Sequence, residues 1–376
     1  MADIAKFKTS KYKGDIKEMV LACNAMRMSS QNPVDISLAQ FVRAKYGITM
    51  DTFYEDLGLN ASVDTIHNMF TMPDESVRWL VPEIIRDAIR LGLRKSPIWA
   101  DLIASEQTLP NPQATIPHWN ISDAMPNYVG EGETITKGNV SYGQKTLKVR
   151  KLGRGIKISY EVAQYVTVNI ISIFLQDFGV KFNLGLDSLL IDTLINGEQA
   201  DNSESAPIVG IGTAGLTNFT YKDLLRVWIR MARIGRTPYG VIGGEEAALK
   251  VLDLAEFKTN SFGGSNAAGV PTNNKLDLKT PIPANSAYYI HGSVPTNQQI
   301  IVDRSSAVIK YNVQPLLVEN DKIVSNQTLE TYASLTTGFG VLYRDARVVI
   351  DASLAFGAAG FPTWMDVDAQ ENVDFV

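Results

Sequence analysis

The chain has 376 residues, 45% of them hydrophobic and 20% charged, enough for two or three modules with a sizeable core. Its formal net charge of −5 excludes the strongly basic signature of a nucleic-acid binder. The single Cys23 excludes an intrachain disulfide framework and suits a reducing compartment, and His67, His118 and His291 have no metal-ligand spacing to it or to each other.

Residues 1–14 carry four lysines against one aspartate and lack an apolar signal core, so the reading is a solvated arm on a chain that is not secreted. Asp15 and Glu18 predict a capping-box-like start for a helix with Ile16, Met19, Val20 and Cys23 on its inner face. A second helix is expected over about Leu38–Tyr46, stopped by Gly47, and a third over about Asp51–Leu57, stopped by Gly58. Two short helices and a tight turn invite a helix-turn-helix reading. The acidic third segment (Asp51, Glu55, Asp56) favours a small helical packing module, because a recognition helix needs cationic or amide side chains. Pro82 then opens a helix with the face Ile84, Ile85, Ala88 and Ile89. Arg78, Arg86, Arg90, Arg94 and Lys95 are expected on its solvated or intersubunit side.

Between Leu109 and Lys157 the helical period disappears into Pro-, Gly-, Asn- and Thr-rich sequence. TLKVRKL alternates Leu147 and Val149 with Lys148 and Arg150, as a two-sided strand does. These features predict a long hairpin that runs out through Glu131 and Glu133, passes Lys137 near its tip, and returns through Lys145, Lys148, Arg150, Lys151, Arg154 and Lys157. A two-stranded ribbon is marginal in water by itself, so this one is expected to lie on another subunit.

The stretch Ser159–Asn196 is the strut of the chain. Ile171, Phe174, Leu175, Phe178, Phe182, Leu186, Leu189 and Leu190 recur at helical spacing and are expected on a buried stripe. Ser159 is the expected N-cap, Gly197 the left-handed stop, and the β-branched run after Tyr165 a break into a short and a longer helix. Polar positions such as Asn169, Gln176, Lys181 and Asp187 are too frequent for a membrane span. Further on, Gly210 to Gly215 spells GxGxxG, but its strand is short and LTNFT separates it from the next helix. The acid expected about twenty residues on is missing too, so a surface turn is the better reading. A helix over Tyr221–Ile234, the strand YGVIGG and the helix EEAALKVLDLAEF follow. After a Gly/Asn/Ser-rich loop at Ser261–Asn274 come the strands SAYYIHG, QIIVD, AVIKY and GVLYRDARVVID, then an acidic tail. Walker, HExxH and GxSxG motifs are absent, which shifts the reading toward a structural protein.

The order of these parts, with the strings GEGETITKGNVSYGQKTLKVRKLGRGIKISYEV, LLIDTLINGE, QIIVDRSSAVIKYN and GFGVLYRDARVVIDASLAF, resembles the major capsid proteins of tailed bacteriophages, the HK97-like fold, over roughly Gln113 to Thr363. The resemblance implies an α+β chain with an N-terminal helical extension at 1–75, an N-terminal arm and helix at 76–115, and an extended β-hairpin loop at 116–157. It implies a peripheral domain with a spine helix at 158–217, an axial domain at 218–334, return strands of the peripheral domain at 335–365, and an acidic tail at 366–376.

What it implies for function is a non-enzymatic major capsid protein. Such a chain assembles as hexamers and pentamers into the icosahedral head around a DNA genome, in the host cytoplasm, and resides in the virion. Intersubunit contacts are expected through Glu131, Glu133, Lys137, Lys145, Lys148 and Arg150, with no catalytic, cofactor or metal residues. The implied partners are further copies of itself, portal, scaffold and decoration proteins, and double-stranded DNA held weakly and without sequence specificity; no membrane is involved. Some relatives link a loop Lys to an Asn before the last strand, with a carboxylate as base. Here Lys137 and Asp345 suit two of those places, but Ser334–Gly340 contains no Asn, so no self-crosslink is expected. Two alternatives stand beside this reading: an encapsulin-like compartment shell and, from another class, a dinucleotide-dependent oxidoreductase.

Overall fold

A computed structural model of the chain describes residues 15–28, 36–59, 64–65, 79–95, 97–110, 113–119, 129–132, 134, 140–198, 205–254, 275–276 and 286–365. The expected arm at 1–14, the loop at 261–274, the acidic tail, Glu133 and Lys137 lie outside the described residues.

The apolar periods of the first part form α1 (Asp15–Arg27), α2 (Leu38–Tyr46) and α3 (Met50–Asp56). Ser37 and Gln40 make a reciprocal capping box on α2, and Gly47 closes it at φ 69°, where a side chain would be strained. These helices are not a detached extension. Ile16, Met19, Val20, Leu38, Val42 and Phe53 share one core with α4 (Leu80–Leu93) and with Ile171 and Leu175 of the strut. A polar clamp reinforces the join: buried Arg27 donates to both carboxylate oxygens of Glu83, at 2.6 and 2.8 Å. Arg86, expected on a solvated side, is buried as well. Its Nε donates to Leu316 O at 3.1 Å and its Nη1 to Ile36 O at 3.2 Å, so neighbouring segments enclose α4 beyond its apolar face.

The strut divides where the β-branched run predicts. Ser159 caps α6 (Tyr160–Tyr165) by accepting from Val162 N–H, and α7 (Val168–Asn196) follows with 29 residues. At about 1.5 Å per residue it spans about 43 Å. Gly197 does stop it, at φ 84° and ψ −171°, an extended conformation open to glycine rather than the expected left-handed cap. Two of the final carbonyls take a side-chain donor: buried Arg347 donates to Thr193 O and Leu194 O, placing a cation at the negative end of the helix, while Ala206 N–H donates to Ile195 O.

Strands fall into three groups. β1 (Ser105–Thr108), β4 (Arg150–Ser159), β10 (Val308–Ile323) and β11 (Thr328–Val341) form a sheet in the order β1-β10-β11-β4. β10 and β11 are a long antiparallel hairpin turned through Gln327 at φ 50°. β2 (Gln113–Trp119) and β3 (Val140–Lys148) make a separate two-stranded ribbon. The six-stranded sheet has the order β5-β12-β9-β6-β8-β7, with β5 (Ile208–Ile211), β6 (Gly240–Gly243), β7 (Lys275–Leu276), β8 (Ala287–Ile290), β9 (Gln298–Val302) and β12 (Arg347–Ala355). One face packs α8 (Tyr221–Arg233) and α9 (Glu245–Leu252) through Trp228, Met231 and Val251. Against Ile242, Ile300, Val302 and Val349 lie Leu190, Ile191 and Leu194 of the strut. The two halves of α7 therefore belong to different cores and tie the sheets together.

This topology changes the expected segment boundaries. β10 lies inside 218–334 yet pairs in the four-stranded sheet beside β4 and β11, and a boundary at 334/335 would cut β11. β12 pairs with β5, which lies in the 158–217 segment, and with β9, which lies in 218–334, while its Val349 packs against the strut. The chain changes sheets at a 3-10 turn, Arg344–Ala346, inside the string read as one strand. Asp345 is held there by Arg236, at 3.0 and 3.1 Å. That bidentate pair gives the carboxylate a structural task, so its suggested role as a crosslinking base is not supported.

Candidate intersubunit surface

The ribbon of β2 and β3 belongs to neither of the two larger sheets. Its register runs from Gln113 opposite Lys148 to Trp119 opposite Val140, with an irregularity between Ile116 and His118. Leu147 anchors its base in a small cluster with Ile309 and Tyr311, flanked by Leu109, Val149 and Leu342. Among the described residues neither β2 nor β3 pairs with a third strand. A ribbon of this kind needs a surface to lie on, because a two-stranded sheet alone buries too little.

The six residues expected at an interface separate. Lys145 and Lys148 lie on β3, opposite Ile116 and Gln113. Glu131 is exposed between the two strands, while Glu133 and Lys137 are outside the described residues. Arg150 is exposed but belongs to β4, opposite Thr337. Lys151, Arg154 and Lys157 follow it there, so the return strand carries two of the expected cations and the other four decorate an edge strand. Exposed cations on an edge are a common device against unwanted strand pairing. The sequence misplaced them because an alternating strand looks the same whichever sheet receives it.

A second surface was missed. Phe174, expected on the buried stripe, is 70% exposed, and Ile173 beside it is 63% exposed. Tyr165, at the end of α6, is 78% exposed, and Val162 and Ile170 are exposed too. Phe178 and Phe182 are half-buried, with ring centroids 6.2 Å apart. The N-terminal half of α7 is apolar on more sides than its own core covers. An apolar run broader than one helical stripe was the available signal.

Polar groups within the strut hold its neighbours. Asn183 Oδ1 accepts from Trp99 Nε1 at 2.8 Å, and Asp187 Oδ1 from Trp99 N at 2.9 Å, fixing the start of α5 (Ile98–Leu102). Burial pushes the Asp187 carboxyl up to about 6 against the opposing pull of the Trp99 and Ile98 backbone N–H groups. Lys310 Nζ lies 3.4 Å from the centroid of the Trp99 ring and donates to Glu106 Oε1 at 2.6 Å. Desolvation lowers its pKa, while the Glu106 contact opposes the shift.

The glycine string begins in β5 with Gly210 and Ile211, and the bend that follows at 212–215 is filled by the protein itself. Gly212 N–H donates to Asp223 Oδ1 at 2.9 Å, and Thr220 N–H and Oγ1 donate to Oδ2. A carboxylate from the first turn of α8 occupies the position a phosphate would need, which removes the basis of the dinucleotide reading. Among the described residues there is no group of three or more His, Cys, Asp or Glu that could hold a metal ion. None of the described helices is long and apolar enough to cross a membrane.

The chain as described is an α+β protein with mixed sheets joined by one long helix. No family model and no curated protein matches its sequence. Its structure is similar to that of a virus-like particle from Pyrococcus furiosus, at 13% identity and a TM-score of 0.46, over 72% of this chain and 98% of that one. It is similar to the mature capsid of bacteriophage PhiM1, at 10% identity and a TM-score of 0.48, over 68% and 87%. An encapsulin from Synechococcus elongatus is similar at 12% identity and a TM-score of 0.46, over 69% and 88%.

Proposed function

We propose that this chain is a shell-forming protein with the HK97-like fold, the major capsid protein of a tailed bacteriophage. The observation that carries the reading is the β2/β3 ribbon, anchored at its base by Leu147 and paired with no third strand among the described residues. Beside it stand the uncovered apolar side of α7 and the ordered strings that resemble this family. In this reading the ribbon is the extended loop and rests on a neighbouring subunit. α7 is the spine helix, and the four-stranded sheet with α1–α4 forms the peripheral unit. The six-stranded sheet with α8 and α9 is the axial unit, around which hexamers and pentamers close. Closure converts many modest contacts into a stable shell.

Portal, scaffold and decoration proteins are the expected partners, with packaged DNA contacted weakly in keeping with the net charge of −5. Assembly takes place in the host cytoplasm and the product is the virion head. Electron microscopy of the purified chain tests the reading. Closed shells or ring-shaped capsomers are expected, and a monodisperse monomer under all assembly conditions would refute it.

A further inference from the structure

The outer face of α8 carries Lys222, Arg226, Arg230 and Arg233 at spacings of four, four and three residues, which places them along one side of the helix. With Leu225, Ile229, Phe356 and Phe361 they line a groove of about 520 Å³. Its two aromatic rings meet edge to face with centroids 6.0 Å apart. The Arg226 guanidinium lies 4.2 Å from the Phe356 centroid and that of Arg230 lies 5.0 Å from Phe361. Arg226 also pairs with Asp223 at 3.3 Å, and Ile229 is 65% exposed. The groove is thus cationic along one side, apolar along its floor, and shaped by stacked guanidinium groups. It fits an extended segment that alternates carboxylates with apolar side chains.

The chain has such a segment next to the groove. Phe361 is part of the lining, and four residues later Met365 is fully buried in the core that α8 covers. The sequence then reads Asp366-Val367-Asp368-Ala369-Gln370-Glu371-Asn372-Val373-Asp374-Phe375-Val376. Four carboxylates in this stretch match in number the four cations of the groove, and Val367, Val373 and Phe375 are apolar residues between and beyond them. Eleven extended residues reach about 36 Å, whereas the 13-residue α8 is about 20 Å long. Tethering at Met365 keeps the segment at a high effective concentration beside the groove, which favours its own chain over a neighbour. We infer that residues 366–376 dock into the groove on α8 of the same chain, the carboxylates against Lys222, Arg226, Arg230 and Arg233 and the apolar side chains over Ile229 and the two phenylalanines.

Zero-length carbodiimide coupling of the purified full chain tests this. Lys222 should become linked to Asp366, Asp368, Glu371 or Asp374, and the yield should fall at least tenfold in about 1 M salt, where the Debye length is about 3 Å. In a mixture of isotopically light and heavy chains, the linked peptides should be of one isotope only. Mixed-isotope links alone, or no link to Lys222 at all, would overturn the inference. A second measurement leaves the groove untouched. Cleavage after Glu371 by a Glu-specific protease should be at least tenfold faster in D366N/D368N/D374N than in the wild type, and equal rates would overturn docking. Both readouts are independent of shell formation.

Discussion

Two antiparallel hairpins in this chain have opposite surroundings. The β10/β11 hairpin is flanked by β1 on one edge and β4 on the other, and Leu316 and Ala333 reach the core beneath α4 and α7. The β2/β3 ribbon has no third strand beside it among the described residues, and Leu147 anchors its base in a small cluster. Strand pattern alone makes a hairpin possible. Flanking strands make it stable without a partner, and the two-stranded ribbon marks where a partner is needed.

The sharpest way to break the covered hairpin is to remove its clamp. Arg86→Ala leaves the carbonyls of Leu316 and Ile36 without this donor and opens a cavity in the main core. The expected loss is about 3–5 kcal/mol in chemical unfolding of the unassembled chain. A loss below about 1 kcal/mol would mean that α4 does not secure β10.

Next in size is a pH effect at the strut residue that positions α5, from which the chain enters β1 on the edge of β10. Asp187 has a raised pKa of about 6 in the folded chain, against an ordinary value of 3.8. The folded state therefore keeps a proton that the unfolded state releases between those values, and stability falls as pH rises through that window. The whole effect is at most about 3 kcal/mol. Asp187→Asn should flatten this part of the stability-against-pH curve, and an unchanged slope would assign it to another group.

A smaller loss is expected where α4 meets α7. A Cβ on Gly179 would lie 2.2 Å from Ile89 O, and one on Gly92 would lie 2.1 Å from Gln176 O. Gly179→Ala should push the helices apart and cost about 1–3 kcal/mol, read as a lowered denaturant midpoint.

Least affected should be the fold of a chain lacking Asn127–Gln144, which removes the far part of the ribbon. Its unfolding midpoint should stay within about 1 kcal/mol of the wild type, since the Leu147 anchor at the base is retained. Closed shells should be absent by sedimentation and microscopy. Shells of normal size from this variant would place the ribbon outside the intersubunit contact.

Local physics made much of the chain legible from its residues. Ser159 with its hydroxyl acceptor, Gly47 with its left-handed turn, and the β-branched run before α7 mark helix ends through short-range sterics and hydrogen bonds. The Gly210–Gly215 string, read as a surface turn because its surrounding elements were wrong for a nucleotide, bends only from Gly212, its first two residues being buried in β5, and the Asp223 carboxylate that fills the bend was not foreseen. What depended on distant neighbours was not legible. Periodicity says that a helix has an apolar side but not how many elements will cover it, so Arg86 came out buried and Phe174 exposed. Alternation says that a segment is a strand but not which sheet receives it. β4 therefore joined β11 rather than the ribbon, and β12 crossed to the six-stranded sheet after the Asp345–Arg236 pair. Capping and turn chemistry act within a few residues and are written where they act. Sheet membership and burial are decided by contacts between segments distant in sequence, such as Arg86 with Leu316, and only the folded chain brings those together.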